Sequence, residues 1–529
     1  MLGSGRVRRG DVWCAKLRHG TLKMQLDAVI VNYADHWNLY QDLADGTSAI
    51  EPSLWARLIA SFLKKKEFSV EILDAVALRM SADETIVAIG DANPRLIILL
   101  AFGHQPSAST QVMDAVIKLS RGITENLAAP AIIVGGHPSS LPQRTLRESG
   151  SMFVATGEGL ETCAALIEGA TRNGNYDDWL HSVPGLCYWY DGAPRVNSPA
   201  RNAWNLDEEI PGGMWDLLPS LDKYRAHNWH CLQEPSRVPY ASVASSLGCP
   251  YSCEFCCIQI PFREGDRLKF GSKSANSYRM WSPQRFADEI EFLVKERGVT
   301  NIKIIDEMYV LNRAHVVGIA DELIKRGLGR LVNFWCYARV DTLRDDELMA
   351  KMREGGVKWC CVGIESMSEH VRDGIDKNDY TIADIFKACE KLRAHDINLI
   401  GNFLLGLPDD NEDSIQQTCR MAKEIMPEWF NVYSVVAYPG TKLYDYAVGN
   451  GWELPPRWGA YAHHAYDYQP LPTKYLTARR VLELRDKAFR DFYSDPSYLE
   501  YITRKFGTTA RREVEKINSI KLKRKLLGD

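Results

Sequence analysis

Five short, almost unbroken apolar runs mark the first third of the chain: Leu26–Asn32, Ser69–Asp74, Leu96–Phe102, Ala131–Gly135 and Met152–Thr156. Between them apolar positions recur at helical spacing, as in Pro52–Lys66 and Thr110–Arg121. Buried strands alternating with amphipathic helices predict βαβ units and an open parallel, Rossmann-like α/β sheet over residues 26–170. Ligands of such sheets bind beyond the carboxyl ends of the strands. Those ends read Gly103 to Thr110 (with Gln105, Ser107, Ser109 and Thr110), Gly135-Gly136-His137, and Thr156-Gly157-Glu158-Gly159. Side chains this small let a flat ligand approach the backbone. Any one such turn is ordinary, but three together predict a site.

The pattern lapses over 171–235, which reads as an irregular linker with scattered tryptophans, and resumes at Ala241. Six further runs follow: Ala241–Ser246, Ile302–Asp306, Asn333–Ala338, Trp359–Ile364, Asn398–Leu405 and Asn431–Ala437. Helical stretches separate them, including Pro283–Arg297, Ala314–Arg326, Asp345–Glu354, Ile382–His395 and Asn411–Met426. Six strand–helix units over 236–450 predict a partial (β/α) barrel, two units short of a closed one. An aromatic stretch, Trp452 to Tyr468, opens a C-terminal helical region over 451–529. Its last part, Arg504 to Lys525, carries nine Lys/Arg, read as a solvated helix face.

With 529 residues, 45% of them hydrophobic, the chain can bury several cores. Sixty-four basic against 68 acidic residues leave a net charge of −4, which argues against nucleic acid as a partner. No apolar run reaches the ~18 residues of a membrane span. The tail, residues 1–25, carries Arg6, Arg8, Arg9 and Arg18 but no apolar core of a secretory signal. The expectation is a cytoplasmic protein acting on a small molecule.

Cysteine placement sharpens this. Four of thirteen, Cys249, Cys253, Cys256 and Cys257, fall within nine residues. Three thiolates spaced C-x3-C-x2-C on a loop can wrap one face of an iron–sulfur cubane and leave its fourth iron open, since such clusters normally take four cysteines. Structural zinc wants four ligands, usually in two close pairs, and no second pair stands nearby.

The run Gly248-Cys249-Pro250-Tyr251-Ser252-Cys253-Glu254-Phe255-Cys256, opening a six-unit α/β barrel, resembles the radical S-adenosylmethionine superfamily. The preceding domain, with its Gly135-Gly136-His137-Pro138 and Gly157-Glu158-Gly159 turns, resembles the cobalamin-binding domain of the B12-type (class B) members. The resemblance implies a [4Fe-4S] cluster on Cys249, Cys253 and Cys256, whose open iron chelates S-adenosylmethionine. Reductive cleavage of that cofactor, fed by an external flavodoxin- or ferredoxin-type electron donor, would yield a 5′-deoxyadenosyl radical. It further implies Phe255 beside the adenine, Asp306 or Glu307 at the methionine amine, Arg339 at its carboxylate, and Glu365 with Ser366 at ribose hydroxyls and carboxylate. Gly401 to Gly406 would form an apolar wall. Helix capping by Asp306 and plain core packing of Phe403 to Leu405 are the alternatives.

Two departures stand out. No Asp-x-His-x-x-Gly motif is present; His36 follows Asp35 directly and His104 has other surroundings, so no histidine is assigned to cobalt and the domain could be vestigial. Cys257 creates an overlapping C-x3-C-x3-C register, similar to the radical diol dehydratase of aminoglycoside biosynthesis, unless it is simply a buried thiol. The expected reaction is cobalamin-dependent C-methylation of a hydroxylated or sugar-type metabolite. The alternatives are radical 1,2-diol dehydration of an aminosugar without cobalamin, and a non-catalytic sensor.

Overall fold

A computed structural model describes residues 25–35, 39–43, 48–171, 178–271 and 276–529. The arginines of the N-terminal tail and His36 lie outside the described residues. The chain divides into two compact units, and it crosses between them more than once.

The first unit takes residues up to 35, then 52–223 and 258–277. Its sheet comprises β1 (Ala28–Asn32), β2 (Val70–Asp74), β3 (Leu96–Leu100), β4 (Ala131–Val134), β5 (Phe153–Ala155), β6 (Leu186–Tyr190) and β7 (Ala193–Val196). The order is β2-β1-β3-β4-β5-β6-β7, with the first five strands parallel. The central strand β3 is buried at every position, as a strand covered on both faces must be. Helix Leu54–Lys65 starts where Ser53 accepts a hydrogen bond from the Ala56 amide, and its apolar stripe is buried.

The expected linker over 171–235 is corrected here. Strands β6 and β7 form a hairpin that continues the sheet antiparallel. Its turn is Asp191-Gly192, with φ of 49° and 74°. Two consecutive left-handed residues are what a tight hairpin needs, and Asp-Gly supplies them.

The second unit takes residues 39–51 as far as they are described, 224–257 and 278–529. It contains β8 (Tyr240–Val243), β9 (Ser246–Gly248), β10 (Tyr278–Met280), β11 (Asn301–Ile304), β12 (Asn333–Arg339), β13 (Val357–Glu365), β14 (Asn398–Leu405) and β15 (Trp429–Ser434). Six of these form one parallel sheet in chain order, β8-β11-β12-β13-β14-β15, as six βα units require. The first expected strand is broken after Val243: β9 leaves the sheet and pairs antiparallel with β10.

Alternation decides what faces the hollow of this sheet. Lys303 lies over the rings of Trp335 and Tyr337, and Asn431 donates to Asn402 at 2.9 Å, so these share the inner face. Lys303 is almost fully buried and pairs with Glu51 at 3.1 Å. The helix Ala478–Tyr493 covers the outer face of β15: Phe492 stacks on Phe430 at 4.3 Å, and Tyr493 Oη donates to the Phe430 carbonyl at 2.8 Å. A last helix, Pro496–Ser519, bends at Gly507. The aromatic stretch is a largely irregular segment with Trp458, Tyr461 and Tyr468 buried. Arg524, expected on a solvated face, is buried against Asp486.

Candidate functional site

The cysteine loop follows β9, and Gly248 enters it at φ 88°, a conformation that favours glycine. Its middle is pinned by main-chain bonds: Glu254 N donates to Ile375 O at 3.2 Å, and Glu254 O accepts from Leu443 N at 3.0 Å. Cys253 and Cys256 close a turn through Cys256 N to Cys253 O at 3.1 Å. Cys249 is buried, whereas Cys253 and Cys256 are half-buried. Burial pushes the Cys249 thiol up to about 12 and also raises Cys253, there opposed by Lys377 and Arg339. Neutral thiols in a dry site become ligands only when a metal drives off their protons. No three His, Cys, Asp or Glu side chains among the described residues converge tightly enough to hold a single ion. A cubane takes one thiolate at each of three corners, which three cysteines spaced C-x3-C-x2-C can supply.

Around the loop stand the residues expected at the strand ends. Arg339, at the end of β12, stacks over Tyr251 at 3.8 Å and places Nη1 3.5 Å from Cys253 Sγ. Its remaining donors go to Asp341 Oδ1 at 2.9 Å and to Asp379. Glu365 ends β13 at φ 64°, where the register against β14 slips. A non-glycine residue held there stores strain of the kind found at functional sites. Its carboxylate binds the buried Lys377, where burial pulls the pKa down but Glu365, Tyr380 and Cys253 together keep it raised. A β-carbon on Gly363 would lie 2.9 Å from Lys377 Nζ, so the pair needs glycine beneath it. Ser366 turns inward, its hydroxyl 3.4 Å from Thr418 and accepting from Ser368 N at 3.2 Å.

Asp306 and Glu307 separate cleanly. Asp306 accepts three hydrogen bonds at 2.6 Å, from Ser245 N, Ser245 Oγ and Ser246 Oγ, and is a buried brace for the turn into β9 rather than a helix cap. Glu307 is half-buried, and burial with the nearby Asp306 charge pushes it up to about 8 against the pull of Lys303. Phe255 packs on the apolar cluster of Val371, Ile375, Leu407 and Val435, beside Leu404. Phe403 points the other way, to Phe430 at 5.3 Å.

In the first unit the three small-residue turns fall at the carboxyl ends of β3, β4 and β5. A β-carbon on Gly135 would lie 2.5 Å from Ala101 O, so that glycine is required by close packing. Gly136 is different: its β-carbon would meet only Pro261 Cδ, at 3.9 Å. Gly157, at φ 77°, opens equally, with Pro261 O at 3.7 Å, and its amide donates to Ser139 Oγ at 2.7 Å. Bare backbone at two neighbouring turns can take a flat ligand once Pro261 is displaced. Gln105 precedes the short turn Pro106–Ser109, and Ser107 is exposed. Ser109 is spent accepting from Gly103 N at 3.1 Å, and Thr110 donates to Ser107 O at 3.3 Å. His137 is buried, and Glu158 accepts from Ala203 N at 2.8 Å.

Residues 243–422 match the radical SAM superfamily, and residues 43–167 match the B12 binding domain. The chain is a radical SAM enzyme with a B12-binding domain. It is 27% identical to an uncharacterized methyltransferase of Pyrococcus horikoshii over 85% of this chain and 89% of that one. It is 26% identical to the anaerobic magnesium-protoporphyrin IX monomethyl ester cyclase of Cereibacter sphaeroides, over 87% of this chain and 70% of the relative. In fold it is similar to the radical S-adenosylmethionine methyltransferase TsrM of Kitasatospora setae, solved with tryptophan substrate and an S-adenosylmethionine analogue. The TM-score is 0.66 at 14% identity, over 93% of this chain and 99% of that one. The cobalamin-dependent radical enzyme OxsB aligns with TM-score 0.66 at 15% identity, over 93% of this chain and 72% of that one.

For this radical SAM enzyme the sequence missed Lys377, Asp341 and Asp379. Asp341 lies two residues after Arg339 and Lys377 twelve after Glu365, whereas Asp379 comes from forty residues away, and no motif spacing announces any of them.

Proposed function

We propose that the protein is a cobalamin-dependent radical SAM methyltransferase that methylates a carbon of a small, hydroxylated or sugar-type metabolite in the cytoplasm, with a flavodoxin- or ferredoxin-type electron donor. The observation that carries this is the joining of a three-cysteine loop to a B12 domain whose Gly136 and Gly157 turns present bare backbone. When bound, the [4Fe-4S] cluster would supply the electron for reductive cleavage of S-adenosylmethionine, and cobalamin would supply the methyl group.

The chain's own residues bind and orient. Cys249, Cys253 and Cys256 would hold the cluster, with the Arg339 guanidinium offsetting negative charge at Cys253. Glu307 suits the methionine ammonium, Glu365 with Lys377 the ribose and carboxylate, and Phe255 with Leu404 the adenine face. Ser366 acts from behind, fixing the strand end through Thr418 and Ser368. Arg339 already holds two carboxylates, so its role toward the methionine carboxylate requires Asp379, the more exposed partner, to give way. The substrate's hydroxyls would meet the uncharged inner wall of Tyr337, Asn402, Asn431 and Tyr433.

The relatives favour methyl transfer over diol dehydration. The deciding experiment is turnover of the loaded enzyme with S-adenosylmethionine carrying an isotopic methyl group. Label in a product heavier by one methylene supports the reading, and an unlabelled product lighter by one water overturns it.

A further inference from the structure

Residues 258–277 belong to the first unit, although the chain on either side belongs to the second. This excursion starts directly after Cys257 and ends directly before Tyr278. Tyr278 pairs with Gly248 in the β9–β10 ribbon, and Gly248 precedes Cys249. Both ends of the excursion therefore adjoin the cysteine loop along the chain.

Inside the first unit the excursion has a buried hydrogen-bonded tie at Asn202. Asn202 Nδ2 donates to Phe262 O and to Asp266 Oδ1, both at 2.8 Å. Asp266, with no exposed surface, accepts from Ser277 N through Oδ2 at 2.9 Å. A β-carbon on Gly265 would lie 2.2 Å from Asn202 Oδ1, so only glycine admits the amide. The residue after Asn202 completes the chain of bonds, since Ala203 N donates to Glu158 in the 157–159 turn. Pro261 meanwhile stands over both open glycines, 3.9 Å from a β-carbon on Gly136 and 3.7 Å from one on Gly157. Phe262 stacks on Trp55, which stacks on Phe102.

A planar ring seated between two surfaces needs about 7 Å, two van der Waals contacts. One C–C bond beyond the 3.9 Å contact leaves at most about 5.4 Å between Gly136 Cα and Pro261 Cδ. A corrin settling on the Gly136 turn must therefore move Pro261 and the segment that carries it.

We propose that Asn202 is a positioning residue: through Phe262 and Asp266 it latches the 258–277 excursion to the corrin-facing turns, so that corrin occupancy is transmitted to both ends of the cysteine loop. This rests on the cobalamin reading above. The two cofactor sites are then loaded as a linked pair, because the segment that roofs one continues into the ligands of the other.

The test uses the full-length protein with its cluster reconstituted and hydroxocobalamin as the probe. Binding is read by the visible spectrum and local order by amide hydrogen exchange. In the wild type, hydroxocobalamin should slow exchange about tenfold over 249–257 and 258–271, as well as at the 135–140 and 157–159 turns. Asn202→Ala and Gly265→Ala break the latch from opposite sides. In both, bound corrin should still protect the turns, while the response of 249–257 falls to within about twofold. A wild type that binds corrin without any change at 249–257 overturns the latch and leaves the methyltransferase reading standing, and so do variants that respond like the wild type. A wild type that retains no hydroxocobalamin overturns both. Should the variants fail to fold, the wild-type comparison decides alone.

Discussion

Cys256 and Cys257 are neighbours in sequence, and the turn that runs from Cys253 closes at Cys256. Cys257 is buried like Cys249, and burial pushes both thiols up to about 12, so the choice of Cys256 over Cys257 rests on the C-x3-C-x2-C spacing. Replacing Cys249, Cys253 or Cys256 by Ala should abolish the ~4-iron cluster, whereas Cys257→Ala should keep it. Iron analysis after anaerobic reconstitution checks this, and a cluster lost only with Cys257 would restore the C-x3-C-x3-C register. Arg339→Ala should weaken S-adenosylmethionine by ~2 kcal/mol, about thirtyfold, in an anaerobic titration. An unchanged affinity would confine Arg339 to its pairs with Asp341 and Asp379.

Glu307 gives a pH signature. Raised to about 8, it is largely protonated at pH 7, and an arriving ammonium group would favour its charged form. Binding of S-adenosylmethionine at pH 7 should release a proton, seen as a dependence of the calorimetric heat on the buffer's ionisation enthalpy. Chelation also takes a proton from the methionine ammonium, so the release in Glu307→Gln should fall by the Glu307 share rather than to zero. Proton uptake, or a release in the variant equal to that of the wild type, would contradict the assignment.

At the level of elements, the β/α alternation was plain in the sequence because fully buried strands leave unbroken apolar runs. Helix Pro283–Arg297 begins and ends where its Ser-Pro cap and Gly298 place it. The β6–β7 hairpin was hidden because its strands are half exposed and carry Trp189 and Tyr190 on the solvent side, although Asp191-Gly192 signalled the turn. The cysteine loop was visible in the sequence because its four cysteines fall within nine residues. The buried pairs Glu365–Lys377 and Glu51–Lys303 were not: the first spans twelve residues with no motif spacing, and the second joins segments 252 residues apart. Glu51–Lys303 also makes a stability prediction: Lys303→Ala strands a buried carboxylate and should cost about 3–5 kcal/mol in denaturant unfolding, while Glu51→Gln with Lys303→Met should recover most of it. A single variant that loses less than about 1 kcal/mol would show water reaching the pair.

Across the whole molecule, two family domains and a segment that passes from the cysteine loop into the B12 unit lie on one chain. No helix among the described residues is long and apolar enough to cross a membrane. Gly136→Trp should fill the space over the β4 turn, exclude hydroxocobalamin and leave the cluster in place. Retained cobalamin in that variant would move the corrin site elsewhere. The most direct measurement is the metal content of the full-length wild type after anaerobic reconstitution with iron, sulfide and hydroxocobalamin. About four iron and about one cobalt per chain is the predicted result. About four iron with no cobalt would contradict it, and would reduce the B12 domain to a scaffold for a cobalamin-independent reaction.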